Sequence, residues 1–519
     1  MSKSKYQYGR GDKAGFWLLS ATVVLVIGLA FFINRDSSVE EQVEPLVVYC
    51  AAGIKPPVEE AAQQFEKDLG VKIHLEYANS GVLAKKLKLD KDAKRSRADV
   101  YIPADYVFTT DAKNEGLTAE ALKVASWKIV LGVKPGLNLE VGNVDELLAK
   151  KIPFVICEPL AGAGKKTKKI LQASGKWEAV YNNKRASFPT VTEAALAVKD
   201  DAGTQAGFMW NSTAAQSGLK VIELPELEES QAEITVAVVS TTQRAKLALQ
   251  FARYLAAPGK GGEVFARHKY NPIPGDAWAE VPKLRIDCGG VNREALEKTI
   301  MEFKEREGCE VEVTYAGCGT LVSKMQPGGN SIPDLFMTCD ASYLDDVQNN
   351  LGNPFGPDLK VSQTRIGLLV NKGNPKGLDG GNLSNLTTSG LRIGITNSAA
   401  STLGYLSEQL FEESGQKAAI MKNVVYKPVT AHLLIQNIEG GENLDVVLVY
   451  EANVQHLKQN FDFLPIPSPH AIAIQNVAAK KTTPYPELAR RLMEQITSEI
   501  SQRRFKQLGF TWQADQENP

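Results

Sequence analysis

Apolar and polar positions along the chain follow two rhythms. Short apolar runs such as VVYCA (47–51) and DVYIPAD (99–105) read as buried strands, and VKIHLEYA (71–78) alternates with the period of a half-buried strand. Between them, PPVEEAAQQFEKDLG (56–70) predicts an amphipathic helix with proline in its first turn and glycine at its end, and LAKKLK (83–88) starts the next helix. The order β-α-β-α-β predicts a parallel sheet covered by helices on both faces. Ligands of such sheets bind outside the carboxyl ends of the strands. That rule selects the segments 50–53, 79–81 and 103–105.

A third pattern precedes these elements. Ala14 to Ile33 is an uncharged, mostly apolar run of 20 residues, and a helix of that length spans about 30 Å, the thickness of a bilayer's hydrocarbon core. Lys3, Lys5, Arg10 and Lys13 precede it, whereas Asp36, Glu40, Glu41 and Glu44 follow. The Lys/Arg excess places the N-terminus in the cytoplasm and everything after the span outside it. The run ends in AFFINRDSS, without a small-x-small cleavage pattern, so an uncleaved anchor is expected rather than a signal peptide.

The strand–helix pattern occurs twice. Shifted by 238 positions, the stretch from Leu46 lies over the stretch from Leu284 without a gap, pairing Cys50 with Cys288, Phe65 with Phe303, Gly70 with Gly308 and Gly81 with Gly319. Further on, ADVYIPAD (98–105) matches PDLFMTCD (333–340), IVLGVKPGLN (129–138) matches IGLLVNKGNP (366–375), and AGFMW (206–210) matches VVLVY (446–450). Repeats of this kind define the architecture. The organisation predicted is a tail (1–13), an anchor (14–33), a linker (34–44) and two domains, 45–278 and 282–513, with a Pro-rich joint between them. In the second copy the strand-end rule selects 288–291, 317–319 and 338–340.

Composition narrows the function. With 43% hydrophobic and 23% charged residues and a net charge of −1, the chain is a folded protein without the basic domain a nucleic-acid binder needs. His74, His268, His432, His456 and His470 form no HxxxH or HExxH spacing. Gly162-Ala163-Gly164-Lys165-Lys166-Thr167 ends like a phosphate loop, but the upstream glycine spacing is wrong. The lysines 165, 166, 168 and 169 read as a solvated helix face. Asp105 and Asp340 each end a third strand and read as helix caps.

YCAAGI, ANSGVL and ADVYIPAD in the first copy, with DCGGV, AGCGTL and PDLFMTCD in the second, resemble the type II periplasmic solute-binding proteins, specifically the molybdate/tungstate-binding branch. Gly162-Ala163-Gly164 sits where that family opens a second-lobe helix, and Trp210 and Tyr450 end the strand where the family has a tyrosine. The resemblance implies two tandem α/β domains, each of two lobes with a mixed central sheet, and an oxyanion held between the lobes by hydroxyls and helix N-terminal N–H groups. It implies the sites Gly53, Ser80, Ala163, Val191 and Trp210 in the first domain, and Val291, Cys318, Thr402, Val429 and Tyr450 in the second. Its expected partner is an ABC-transporter permease; neither cofactor nor catalysis is expected. Gly53 and Val291 stand where the family's first binding serine belongs, and Cys318 replaces the second. Each lost hydroxyl costs about 1–3 kcal/mol.

Cys288, Cys318 and Cys339 all fall at strand carboxyl ends of one lobe. Four readings remain open: a disulfide, buried unpaired thiols, a thiolate metal site and a reactive thiol. Cys50 and Cys157 fall in different lobes of the first copy and offer a second possible bridge, while Cys309 sits at the far end of its strand. The functional expectation is a single-pass receptor anchored in the inner (cytoplasmic) membrane with its bulk in the periplasm or outside the cell. The alternatives are a sensory or interaction protein with degenerate clefts, or a metal-binding protein using the second-domain cysteines.

Overall fold

The computed structural model describes Met1, residues 44–441 and residues 444–513. The expected anchor at 14–33 lies outside the described residues, among which no helix is long and apolar enough to cross a membrane.

In the first repeat, strand Leu46–Ala51 pairs in parallel with Ile73–Ala78 on one side and Val100–Ile102 on the other. The helix Lys55–Leu69 buries Val58, Ala61, Ala62 and Phe65 against this sheet, an i, i+3, i+4, i+7 spacing that makes one apolar stripe. Prolines fill its first turn, and Gly70 ends it in the left-handed region at φ 71°. Beyond Val100–Ile102 the sheet turns antiparallel: Ala232–Val239 pairs with it and with Thr118–Trp127. The first lobe is therefore a mixed sheet, parallel only across the three strands that carry the strand-end loops.

The chain crosses to a second lobe at Lys128. There Ile129–Val133 joins a five-stranded sheet with Phe154–Cys157, Ala186–Phe188, Ala206–Trp210 and Lys220–Ile222. Side chains replace strand partners at this break: Asn211 Oδ1 accepts from Lys128 N at 3.0 Å, and Ser230 Oγ accepts from Ile129 N at 2.9 Å. The return crossing runs from Lys220–Ile222 through the turn Pro225–Ser230 into Ala232–Val239. The apolar runs IVLGV (129–133) and ITVAVVS (234–240) thus lie just beyond the two crossings, one in each lobe.

The second repeat has the same plan with one difference. Lys283–Gly289 pairs in parallel with Glu310–Ala316 and Leu335–Met337. Its crossing strand, Phe355–Asn371, is unbroken over 17 residues and joins both lobes into one ten-stranded sheet.

The joint between the repeats is docked rather than loose. Asn271–Pro272 adds to the edge of Thr118–Trp127, and Asp276 caps the helix Pro486–Ile496 by accepting from Glu487 N (2.7 Å) and Leu488 N (3.0 Å). Nearby, Glu307 of the second repeat accepts from Arg491 Nε at 2.7 Å and lies 3.4 Å from Arg253 Nη1 of the first, all three buried.

Candidate functional site

Five of the first-copy residues selected from the sequence, Gly53, Ser80, Ala163, Val191 and Trp210, line one cavity between the lobes. Four helices begin on it: Lys55–Leu69 behind the turn Ala52–Ile54, Ser80–Asp92, Gly162–Ala173 and Val191–Asp200. First-turn N–H groups have no intrahelical acceptor, and each helix adds the positive end of its dipole. Ser80 Oγ accepts the Ala104 N–H at 3.0 Å, a bond that leaves the hydroxyl proton unused. Ala51, Ala52, Asn79 and Ala104, from the strand-end segments selected in the sequence, and Gly162 also line it, whereas Ala161 and Thr190 complete the lining without having been singled out. They belong to the same strand-end and helix-start loops, which is the signal that could have found them.

Aromatic packing fixes the floor. The Trp127 ring stacks on Trp210 at 4.3 Å and 9°, and its Nε1 donates to Ala104 O at 2.9 Å. Tyr270 donates its hydroxyl to Gly53 O at 2.7 Å, which ties the end of the domain to the first binding loop.

The lobes are closed over the cavity. Gly81 N donates to Leu160 O at 3.3 Å across the cleft, and a Cβ on Gly53 would stand 2.7 Å from Val191 Cγ1. A cavity volume of ≈ 20 Å³ remains, enough for about one water molecule. A tetrahedral oxyanion therefore enters only when the lobes part. Asp105 does cap its helix, accepting from Val107 N at 3.2 Å, but it also pairs with Lys166 Nζ of the opposite lobe at 3.0 Å. Lys166 is not on the solvated face expected of it: its side chain is 9% exposed and also donates to Gln231 O in the return crossing. Lys165 is exposed and pairs with Asp111 at 2.9 Å, again across the cleft.

In the second repeat the turn Gly290–Asn292 carries Val291, Cys318 starts the helix Cys318–Met325, Thr402 starts Thr402–Glu413 and Tyr450 ends Val446–Tyr450. These four surround Cys339. The fifth, Val429, does not belong with them: it is 52% exposed and precedes the cap Thr430. Thr190 and Thr430 cap equivalent helices, so Ala431 stands where Val191 stands in the first repeat. By the same register Thr402 matches Gly162, and Leu403 matches Ala163. The second lobes are related by a shift of 240, the offset that also pairs 206–210 with 446–450, rather than the 238 of the first-lobe start.

Cys318 takes over the bond that Ser80 makes, its Sγ accepting the Cys339 N–H at 3.0 Å. Asp340 has no lysine partner among the described residues: it caps Ser342 and accepts Ile474 N at 3.1 Å, and Leu406 fills the place of Lys166. All six cysteines are buried free thiols, so neither the Cys50–Cys157 bridge nor a second-domain disulfide is formed. Burial raises the thiols of Cys50 and Cys288, and pushes Cys157 and Cys309 up to about 12. Among the described residues no group of three or more His, Cys, Asp or Glu side chains is placed to hold a metal ion, so Cys288, Cys318 and Cys339 do not form the thiolate site considered above. Cys288 instead points its thiol at Gly289 O, 3.6 Å away.

Two lobes joined by paired crossings, with helix N-termini facing one interlobe cavity, define a cleft-type binding protein. The chain belongs to the bacterial extracellular solute-binding protein family, whose sequence profile matches residues 46–270 and again 284–511. It is similar to a binding protein of Haemophilus influenzae, 25% identical over 229 residues, covering 44% of this chain and 90% of the relative. It is also similar to the molybdate-binding protein ModA of Mycobacterium tuberculosis, 26% identical over 220 residues, covering 41% of this chain and 80% of the relative. Among solved structures, the Azotobacter vinelandii periplasmic molybdate-binding protein is 20% identical, with a TM-score of 0.37, covering 43% of this chain and 98% of that one.

Proposed function

We propose that the chain is an extracytoplasmic receptor, tethered by its N-terminal apolar segment, whose first repeat captures a small oxyanion of the molybdate/tungstate class for an ABC importer. It acts by binding and release, not by catalysis. The observation that carries this reading is the convergence of four helix N-termini and the Ser80 hydroxyl on one interlobe cavity. Such a site favours an anion without any cationic side chain. Likeness to proteins named for molybdate binding supports the choice of ligand. A second reading, a sensory or docking protein whose clefts bind no solute, is favoured by the Gly53–Val191 contact that fills the closed cleft.

Thermal unfolding with molybdate, tungstate, sulfate and phosphate separates the two. A ligand at 100 times its Kd stabilises by about 2.7 kcal/mol. A rise in Tm with tens of micromolar tungstate or molybdate, lost in Ser80→Ala, is expected. No shift with any of the four anions removes the receptor reading and leaves the docking protein.

A further inference from the structure

The second cleft differs from the first in what occupies its centre. Where the first repeat has Ala104 beside a cavity, the second has Cys339, and where the first has Ser80, it has Cys318. The Cys339 sulfur lies over Gly289 so closely that a Cβ there would stand 2.4 Å from it. The turn at Val291 and the starts of the helices Cys318–Met325 and Thr402–Glu413, which in the first repeat would face a ligand, here face this sulfur. Two buried hydroxyls beside it, Thr402 Oγ1 and Tyr450 OH, meet no partner at full hydrogen-bonding geometry among the described residues. An anion at the centre would give them one.

We propose that the cleft of the second repeat is a dithiol redox site, in which Cys339 attacks a low-molecular-weight disulfide and Cys318 resolves the product into a Cys318–Cys339 disulfide. The Cys339 thiolate attacks one sulfur of RS–SR, forming a mixed disulfide and releasing RS⁻. Cys318 then loses its proton and attacks the Cys339 sulfur, expelling the second RS⁻. Two protein thiols are oxidised, and the small disulfide is reduced to two thiols.

Geometry permits the bond. With Cys318 Sγ 3.0 Å from Cys339 N, the two Cα atoms are no more than about 7 Å apart, at the upper end of the span of a disulfide. The environment favours Cys339 as the attacking sulfur. The adjoining Cys318 thiol holds it below the ordinary thiol range, helped by the Thr402 hydroxyl and the N–H groups of Val291 and Cys318 and opposed by burial. The Thr402 hydroxyl is near enough to exert this bias without meeting either sulfur at full hydrogen-bonding geometry. Cys339 is 5% exposed, so reaction follows lobe opening. The Lys166 ion pair that ties the first pair of lobes together has no counterpart here, because Leu406 stands in its place.

The test uses the full chain, reduced and then incubated with oxidised glutathione. Loss of two of the six thiols on titration in denaturant is expected, together with a cross-link between the peptides on either side of Lys324. Cys318→Ser, which installs the residue the first repeat has at this position, is expected to stop at one glutathionyl group on Cys339. Six thiols remaining after prolonged incubation, or a disulfide between any other pair, overturns the proposal. Neither readout depends on anion binding by the first repeat, so this proposal and the receptor reading fail separately.

Discussion

Replacing Lys166 by leucine tests whether the first cleft is held shut by its own charges. Lys166 Nζ lies 3.0 Å from Asp105 Oδ2, with side chains only 9% and 5% exposed. Leucine is what the second repeat carries at this position, so the backbone tolerates it. Removing one member of a buried pair leaves the other charge uncompensated and costs about 3–5 kcal/mol. Val107 N–H still reaches Asp105, so the lower end, about 3 kcal/mol, is expected. For a domain of this size that lowers Tm by about 6–12 °C. Tryptophan fluorescence weights the signal towards the effect, since Trp127, Trp177, Trp210 and Trp278 lie within residues 45–278, against Trp512 in the second repeat and Trp17 in the N-terminal segment. Asp105→Asn/Lys166→Leu removes both charges and is expected to recover most of the loss, which gives the coupling energy directly. A single variant within about 0.5 kcal/mol of the parent protein, or a double variant as unstable as the single, would refute a stabilising interlobe pair.

Three further outcomes follow from the same contacts. Gly53→Ser places a side chain against Val191 and is expected to weaken closure, whereas Gly53→Ser/Val191→Ala provides both room and a hydroxyl; calorimetric titration with tungstate should show about ten- to a hundredfold tighter binding for the pair than for the parent chain. Glu307→Gln leaves Arg253 and Arg491 facing each other in the buried interface between repeats, so the repeats should undock at a cost of about 3–5 kcal/mol and scanning calorimetry should resolve two transitions in place of one. Glu60 is held below the usual carboxylate range by Arg267 and then His268; its contribution is present above its unfolded value and is lost as pH falls through the folded one. Urea midpoints of Glu60→Gln and the parent chain should therefore differ slightly at pH 7, by less than about 1 kcal/mol, and converge towards pH 3, while a constant gap would contradict the ion-pair account.

The sequence by itself determined the repeat, the parallel strands and the loops that reach the first cleft, because these are local properties. Glycine at 70 and 308 ends equivalent helices, apolar spacing sets the buried faces, and the strand-end rule reaches Gly53 and Ser80 without coordinates. Only the tertiary structure decided the rest. Lys166 looks like one more charge on a basic helix until the opposite lobe brings Asp105 to it, 61 positions back along the chain. Val429 looks like the partner of Val191 until helix caps fix the register two residues on. Cys339 looks like one of three strand-end cysteines, yet it alone takes the central place that Ala104 leaves free in the first repeat, with the Thr402 and Tyr450 hydroxyls beside it. Such pairings depend on distances between segments far apart along the chain, and residue spacing within a segment carries no record of them.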